Sequence, residues 1–485
     1  MFEKLKHTFK QTAIYSLGNI STKLIGIILL PIYTNPSYLS VKEYGVWTTL
    51  EVTSQIIIGV LALNLPLAML RWSSSEKDSK KIKSVVFTTI FALAVIIFVS
   101  LLFLLPNSAY FSRLIFGHER FAEYFTLLFV YSAVGIYNGV PLNILRIREK
   151  SVRYVILTSL KFAVILGLNI YFVVYENLGV IGIIKGQLLG EIFLAVATLP
   201  NVLKSVTPRI DFTTLKEMLR YGAPLVFSSI ASFIFSFGDR YILLHYLDEA
   251  KVGIYSLGYK IASVMNMLIL QSFQLGFPPI AYKKLGEKDA PRFFGKVLTY
   301  YAVVLVFAAL GLSLFGKEII EIFSRNPKYL AASGVIPVIS LAFVLKGIQY
   351  NFALSFHYSK KTVYNAIIVI ITAISSLTLN FVLIPRIGFA GAAYSMLLSI
   401  AIMAALSYFF GKKVYRVPYE TKRLAKIVFT GVFLYALGSF TNEFSFFGRI
   451  AIKSVLIILF PVALYFTGLL EKAETEKIKE LLHRK

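Results

Sequence analysis

The feature that most limits what this chain can fold into is a long succession of apolar windows, each about 20 residues long. An α-helix of that length crosses the ~30 Å hydrocarbon core of a bilayer, since it rises 1.5 Å per residue. Hydrophobic residues make up 57% of the 485 residues and charged residues only 15%. Soluble proteins do not have this composition. The sequence therefore predicts an all-α integral membrane protein.

About 14 such windows follow one another along the chain. Lys and Arg are concentrated before the first window and in every second loop, as is typical of cytoplasmic segments. These clusters explain the net charge of +25, so we do not attribute it to nucleic-acid binding. The alternation predicts a multi-pass protein of the inner (cytoplasmic) membrane with both termini in the cytoplasm. The predicted spans are 12–34, 45–70, 85–106, 124–145, 154–174, 180–200, 221–245, 252–278, 293–316, 331–355, 362–384, 388–411, 424–441 and 449–470.

Several classes of chemistry are excluded by composition and loop length. The chain has no cysteine, and its five histidines are far apart without the spacing of a metal site. No predicted loop exceeds roughly 20 residues, whereas a soluble catalytic domain needs about 50 or more. We therefore expect no cofactor, no metal and no enzymatic domain, and we expect the protein to work among its helices.

The chain also contains an internal repeat. Three pairs of segments match in collinear order at an offset of about 210 residues, and the first pair aligns Gly45 with Gly253. In apolar sequence one match could be coincidence, but three in order indicate duplication. The pairs are EYGVWTTLEVTSQII (43–57) with KVGIYSLGYKIASVM (251–265), EKSVRY (149–154) with KKTVYN (360–365), and LGVIGIIKGQLLG (178–190) with IGFAGAAYSMLLS (387–399).

The repeat predicts the organisation of the membrane domain. Six spans are an even number, so the two copies have the same orientation and form two parallel-repeat six-helix bundles that face each other across a cleft. We predict an N-terminal bundle at 1–204 and a C-terminal bundle at 205–415. Two extra helices follow at 416–470, and a cytoplasmic tail at 471–485.

Several motifs resemble those of one family of membrane proteins. They are YSLGNISTKLIGIILLPIYT in the first span, EYG in the second, and YGAPLVFSSI, GDRYIL and VGIYSLGYK between residues 221 and 260. The chain resembles the polysaccharide-unit flippases of the multidrug/oligosaccharidyl-lipid/polysaccharide exporter superfamily. The resemblance implies that undecaprenyl-diphosphate-linked sugar units are moved from the cytoplasmic to the outer leaflet, for O-antigen, capsule or exopolysaccharide assembly.

Charged residues inside the spans are the candidate site residues, because a charge at the centre of a bilayer helix costs roughly 2.5–3.5 kcal/mol. Related lipid flippases use cations on helices 1, 2 and 8, and Lys23 and Lys260 match two of these positions. The second span has Glu51 instead. The substrate-binding candidates are Lys23, Lys260, Arg240 and Lys346, and the candidates for coupling to H⁺ or Na⁺ are Glu51, Asp239 and Glu191.

Other charges have simpler explanations. Adjacent residues on a helix point about 100° apart, so we expect Asp239 and Arg240 not to pair with each other. They could instead anchor the outer end of their helix at the headgroups together with Tyr241. Lys161 and Lys185 lie near helix ends, and we expect both to extend to the membrane surface.

We expect an alternating-access flippase whose cations hold the diphosphate of a lipid-linked oligosaccharide, with the lipid tail remaining in the bilayer. Two alternatives stay open. A cation-coupled multidrug exporter of the same superfamily would have a compact acidic site instead of several lysines. A membrane-embedded polysaccharide polymerase or ligase commonly has a large outer loop, and none here exceeds ~17 residues.

Overall fold

The computed structural model describes residues 26, 28–359, 361 and 363–466, and every regular element in these residues is helical. The predicted all-α fold is confirmed. In chain order the helices are α1 Leu30–Tyr33, α2 Val41–Leu61, α3 Leu65–Ser75, α4 Ser79–Leu104, α5 Ser108–Phe116, α6 Ala122–Ile147, α7 Ser151–Asn169, α8 Gly179–Leu203, α9 Phe212–Tyr246, α10 Glu249–Met265, α11 Gln271–Lys284, α12 Ala290–Phe323, α13 Ile336–Tyr358, α14 Val363–Ile387, α15 Phe389–Val414, α16 Thr421–Ser439 and α17 Phe446–Phe466. Short π-helical segments extend α7 (Ile170–Tyr175) and join α10 to α11 (Asn266–Leu270).

Eleven helical segments of the described residues are long and apolar enough to cross a membrane, and α2 with α3 makes a twelfth if this bent pair is one span. They correspond to the predicted spans 2–12 and 14. Predicted span 13 is α16, which is more charged because Lys422, Arg423 and Lys426 lie near its start. Most of predicted span 1 lies outside the described residues, so its crossing of the membrane remains a prediction.

The predicted second span is not one straight helix, because α2 and α3 meet at an angle of 48°. Leu63 and Asn64 have φ angles of 46° and 52°, in the left-handed region that helices avoid. Pro66 follows in the first turn of α3, where its missing N–H leaves no hydrogen bond unmade. The Leu63 carbonyl oxygen lies so close to Gly222 of α9 that a Cβ there would overlap it. The break is therefore fixed by packing against α9.

Side-chain caps fix where some helices begin. Ser40 and Glu43 form a reciprocal capping box at the start of α2. Asp211 caps α9 by accepting hydrogen bonds from the Thr214 backbone N–H (3.0 Å) and hydroxyl (2.7 Å). These two bonds lower the pKa of the Asp211 carboxyl below its usual value.

By contacts, the chain separates into two compact units. Unit 1 comprises residues up to Ser256 together with Ser324–Asn326 and Asn380–Phe389, and unit 2 comprises the remainder. The predicted division of the chain at residues 204, 415 and 470 remains a prediction.

Unit 1 is built around α6, which packs against α2, α4 and α8, while α7 packs on α8. In lipid, helices associate mainly through close packing, since the bilayer is as apolar as the side chains. The buried side chains that fill this packing come from α3, α4, α6 and α9; they include Leu65, Met69, Val86, Leu93, Val140, Ile144 and Met218.

Unit 2 is built around α12, which packs against α13, α16 and α17. Aromatic rings join α11, α12 and α13 at one end of this unit. The Phe273 ring stacks on Tyr301 at a centroid distance of 3.8 Å, and Phe294 stacks on Tyr358 at 4.9 Å. Such pairs contribute about 0.5–1.5 kcal/mol each beyond the area that they bury.

Two glycines related by the predicted repeat contact each other in unit 1. A Cβ added to Gly45 of α2 would overlap the Glu249 carbonyl oxygen and lie 2.9 Å from the Gly253 nitrogen. A Cβ on Gly253 of α10 would overlap the Val41 carbonyl oxygen. The backbones of α2 and α10 are therefore in direct contact where the two helices cross. Only small residues permit so close an approach.

We predict that Gly253→Ala destabilises the protein by about 1–3 kcal/mol, because the added methyl group forces the backbones of α2 and α10 apart. The measurement is thermal unfolding of the detergent-purified protein. Gly276→Ala is the matched control, since a Cβ at Gly276 of α11 meets nothing within 4 Å. Equal stability of the two variants would contradict the contact.

Candidate functional site

The structure places the seven predicted site residues in different surroundings. Lys23 lies outside the described residues. The others are divided between the units: Glu51, Glu191, Asp239 and Arg240 belong to unit 1, and Lys260 and Lys346 belong to unit 2.

Asp239 and Arg240 form a buried ion pair near the end of α9. Arg240 Nη1 lies 2.9 Å from Asp239 Oδ1, and the two residues are 4% and 7% exposed, respectively. The Tyr255 hydroxyl of α10 donates to the other carboxylate oxygen of Asp239. The Arg240 guanidinium also lies over the rings of Phe237 and Tyr255, at 5.2 and 5.7 Å from their centroids.

The expectation that Asp239 and Arg240 do not pair was wrong. Their Cβ atoms do diverge, but the long arginine side chain folds back to its neighbour's carboxylate. Anchoring at the headgroups is also contradicted, since both side chains are buried and Tyr241 bonds to Thr53 of α2 (2.8 Å). Because Asp239 already neutralises Arg240, this cation is a weak candidate for holding an anionic substrate.

Glu191 of α8 is a second buried acid with its own partners. Lys161 of α7 forms an ion pair with one carboxylate oxygen, and Asn138 Nδ2 of α6 donates to the other at 2.7 Å. The interpretation that Lys161 extends to the membrane surface was wrong, since its amine points inward to this acid. The group links α6, α7 and α8, which favours a structural role for Glu191. The extension of Lys185 to the surface remains a prediction.

Glu51 of α2 differs from these acids. It is partly buried, and no side chain in the described part of the chain forms an ion pair with its carboxylate. The hydroxyls of Tyr33 and Tyr131 lie within range of its charge. A carboxylate without a cation in an apolar span is suited to binding a proton or a metal cation.

Lys260 and Lys346 lie on α10 and α13 of unit 2. The Tyr259 ring, next to Lys260 in the chain, packs edge-on against Phe343 at 6.0 Å. Phe343 in turn lies 5.9 Å from Lys346 Nζ in a cation–π contact. Among the residues that the structure describes, no carboxylate pairs with Lys346. The Tyr259–Phe343 contact therefore joins α10 to α13 next to Lys260 in the chain and beside the Lys346 amine.

A cluster that sequence reasoning missed surrounds Glu249 at the start of α10. Lys42 Nζ lies 3.5 Å from one of its carboxylate oxygens, and His118 Nε2 lies 3.8 Å from the other. The cluster is next to the contact between Gly45 and Gly253. The repeat alignment of these two glycines was the signal that could have located it.

A second missed cluster joins α12 and α17 in unit 2. Glu318 accepts from Lys453 (2.7 Å) and lies 3.2 Å from Arg449 Nε, and Arg449 also bonds Glu321 (2.6 Å). Residue spacing was the sequence signal that could have located this cluster. Glu318 and Glu321 are three residues apart, and Arg449 and Lys453 are four apart, so each pair lies on one face of its helix.

The sequence matches two protein families and is similar to two known proteins. A family described as polysaccharide biosynthesis protein matches residues 8–283, which is more than half of the chain, and the MatE family matches residues 224–382. The probable low-salt glycan biosynthesis flippase Agl15 of Haloferax volcanii is 22% identical over 198 residues, 40% of this chain and 42% of that protein. An uncharacterized membrane protein of Methanocaldococcus jannaschii is 23% identical over 268 residues, 53% of this chain and 49% of that protein. The alignments thus span less than half the length of either relative.

Solved structures share the fold. The lipid II flippase MurJ in an inward closed conformation has a TM-score of 0.76 at 15% identity and covers 94% of this chain and 100% of its own. An inward-facing multidrug resistance MATE family transporter has a TM-score of 0.68 at 16% identity, covering 83% and 96%. At such low identity the similarity shows a common fold, and it does not show a common substrate.

We predict that Asp239→Ala and Arg240→Ala each destabilise the protein by about 3–5 kcal/mol, since each leaves one buried charge without its partner. The double variant is expected to lose less than the sum of the two, because it removes both charges. Thermal unfolding of the two single variants and the double variant, as a double-mutant cycle, measures the coupling. Strictly additive losses would contradict a direct ion pair.

Proposed function

Because the chain belongs to the polysaccharide biosynthesis protein family, we propose that it is a flippase that moves oligosaccharide units carried on undecaprenyl diphosphate. It would take these units from the cytoplasmic to the outer leaflet of the cell membrane by alternating access. The family match, the resemblance of the motifs between residues 221 and 260, and the fold shared with a lipid II flippase support this proposal.

The observation that carries the proposal is the position of Lys346. It lies in the middle of α13, roughly 15–18 Å from either end of the helix, and no carboxylate of the described residues pairs with it. A cation at this depth is costly unless it faces water or an anionic ligand. The diphosphate of the cargo is such a ligand, because it too loses its hydration when it enters the membrane.

Lys260 extends this candidate site to α10. The aromatic contact between Tyr259 and Phe343 brings the neighbourhood of Lys260 close to that of Lys346. Two lysines can together replace more of the hydration of a diphosphate than one, and each ammonium has three donors. The nearby aromatic faces are suited to stacking on sugar rings. In this proposal Lys23, Lys260 and Lys346 hold the cargo, whereas Arg240 stays with Asp239.

Glu51 is the acid that we propose for coupling. Glu191 and Asp239 each have cationic partners, whereas Glu51 has none among the described residues. Binding of H⁺ or Na⁺ would neutralise its charge and change the cost of keeping it in an apolar span. A gradient of the ion could thereby bias the conformational cycle.

A multidrug exporter is the second candidate, and the MatE match at residues 224–382 favours it. An exporter of organic cations would select against lysines in its site, because like charges repel. The lysine pair of unit 2 therefore favours an anionic cargo. Transport of a cationic dye, with no transport of a lipid-linked diphosphate, would reverse this preference.

We predict that Lys346→Ala and Lys260→Ala lower the rate of flipping about tenfold or more, since each removes a charge-assisted hydrogen bond of roughly 1.5–3 kcal/mol. The measurement is the initial rate at which purified protein in liposomes flips a fluorescent undecaprenyl-diphosphate oligosaccharide. Lys346→Arg should keep substantial activity. Lys422→Ala, at an exposed lysine of α16, is the matched control. Full activity of both alanine variants at normal protein levels would refute the cation site.

We predict that Glu51→Gln abolishes the response of transport to an imposed H⁺ or Na⁺ gradient and leaves the rate without a gradient nearly unchanged. The amide is neutral and does not titrate, so it has no charge for the ion to neutralise. The test compares wild type and variant in liposomes with each gradient in turn. If the variant responds as strongly as the wild type, Glu51 is not the coupling group.

A further inference from the structure

Two adjoining cavities in unit 2 belong to neither the lysine pair nor the predicted coupling acids. The first has a volume of about 240 Å³ and the second about 300 Å³. Ser313 of α12 and Tyr435 of α16 line both of them. The two cavities therefore meet at these side chains, and a single elongated molecule can occupy both.

The first cavity, the apolar chamber, is lined almost entirely by hydrocarbon. Its walls come from α12, α13, α15 and α16 and include Leu310, Val338 and Val428. Two of its lining residues, Tyr394 and Val432, are 44% and 49% exposed. Tyr394 lies on α15, one of the helices long and apolar enough to cross a membrane, so a side chain of the chamber's lining is exposed on a helix that lipid can surround. Acyl chains can enter it without crossing water.

The second cavity, the polar chamber, carries positive charge. Lys317 and Lys453 line it together with Ser333 and Ser439. Lys453 is 3% exposed and is bonded to Glu318. Lys317 is partly buried, and no carboxylate in the described residues pairs with it. The chamber therefore presents a cation that has no counter-ion among the side chains the structure describes.

The charge of this region selects among possible ligands. Among the described residues, Arg449 and Lys453 pair with Glu318 and Glu321, and Lys317 in the lining of the polar chamber adds one positive charge that no described ion pair balances. One surplus charge matches a phosphodiester, which is a monoanion, better than a diphosphate. An apolar chamber beside one surplus cation matches a lipid with an acyl chain and an anionic phosphate headgroup.

We propose that this pair of chambers is a binding site for an anionic glycerophospholipid, with an acyl chain in the apolar chamber and the phosphate at Lys317 and Lys453. The site uses α16 and α17, which follow the predicted repeat, and it is separate from the proposed cargo lysines. A bound lipid would tie α16 and α17 to α12 and α13, and it would stabilise unit 2 as any ligand of the folded state does.

The test measures thermal unfolding of the full-length, detergent-purified protein at increasing concentrations of phosphatidylglycerol. Phosphatidylcholine with the same acyl chains and sn-glycerol 1-phosphate are the comparison ligands. We expect phosphatidylglycerol alone to raise the unfolding temperature. Lys317→Gln should weaken its apparent affinity about tenfold, the effect of losing one charge-assisted contact. Ser313→Phe, which fills the junction of the chambers, should weaken it as well.

Lys422→Gln is the matched control, because this exposed lysine lies at the other end of α16 and should leave the affinity unchanged. Equal stabilisation by phosphatidylcholine, or an unchanged affinity in Lys317→Gln, would overturn the proposal. Stabilisation by sn-glycerol 1-phosphate to the same extent would show an anion site without a lipid chain, and this too would overturn it. If Ser313→Phe does not fold, Lys317→Gln still tests the proposal. This substitution breaks no ion pair of the described structure, so we expect the variant to fold.

Discussion

The structure depends on how each charge inside the apolar spans is compensated. A charge in the bilayer is costly, and that cost falls only when a counter-ion, a hydrogen-bonding group or a wet cavity replaces its lost hydration. Asp239 with Arg240, Glu191 with Lys161, and Glu318 with Lys453 are all compensated by direct pairing. In each case the acid also fixes two or more helices side by side. These buried pairs are therefore part of how the units are built.

The same constraint separates structural charges from candidate functional ones. Lys346 and Lys317 have no carboxylate partner in the described part of the chain, and Glu51 has no cation. We propose a lipid-linked diphosphate as the ligand of Lys346 and Lys260, a coupling ion as the ligand of Glu51, and an anionic membrane lipid as the ligand of Lys317. The three assignments rest on different residues in different places, so the failure of one does not decide the others. The common argument, for Lys346, Lys317 and Glu51, is that a charge without an ion-pair partner among the described residues is suited to binding a ligand.

Hydropathy and charge alternation were sufficient to predict an all-helical membrane protein and nearly every span that the structure describes. The family could also be predicted, because its motifs lie in a short stretch around residues 221–260. The pairing of charged side chains could not be predicted from the sequence, since it depends on how far a side chain reaches and on which helices are neighbours. Arg240 folds back along its own helix, and Lys161 meets an acid 30 residues away on α8. The break between α2 and α3 was missed because Pro66 alone does not bend a span, and the contact of Leu63 with Gly222 is tertiary.

The central claim is that cations of α10 and α13 hold the diphosphate of the cargo. An experimental structure of the protein with a bound undecaprenyl-diphosphate sugar tests this claim most directly. We predict phosphate oxygens within hydrogen-bonding distance of Lys346 Nζ, about 2.7–3.2 Å, with Lys260 on the same diphosphate. A diphosphate bound elsewhere, with Lys346 left without an anionic neighbour, would contradict the account.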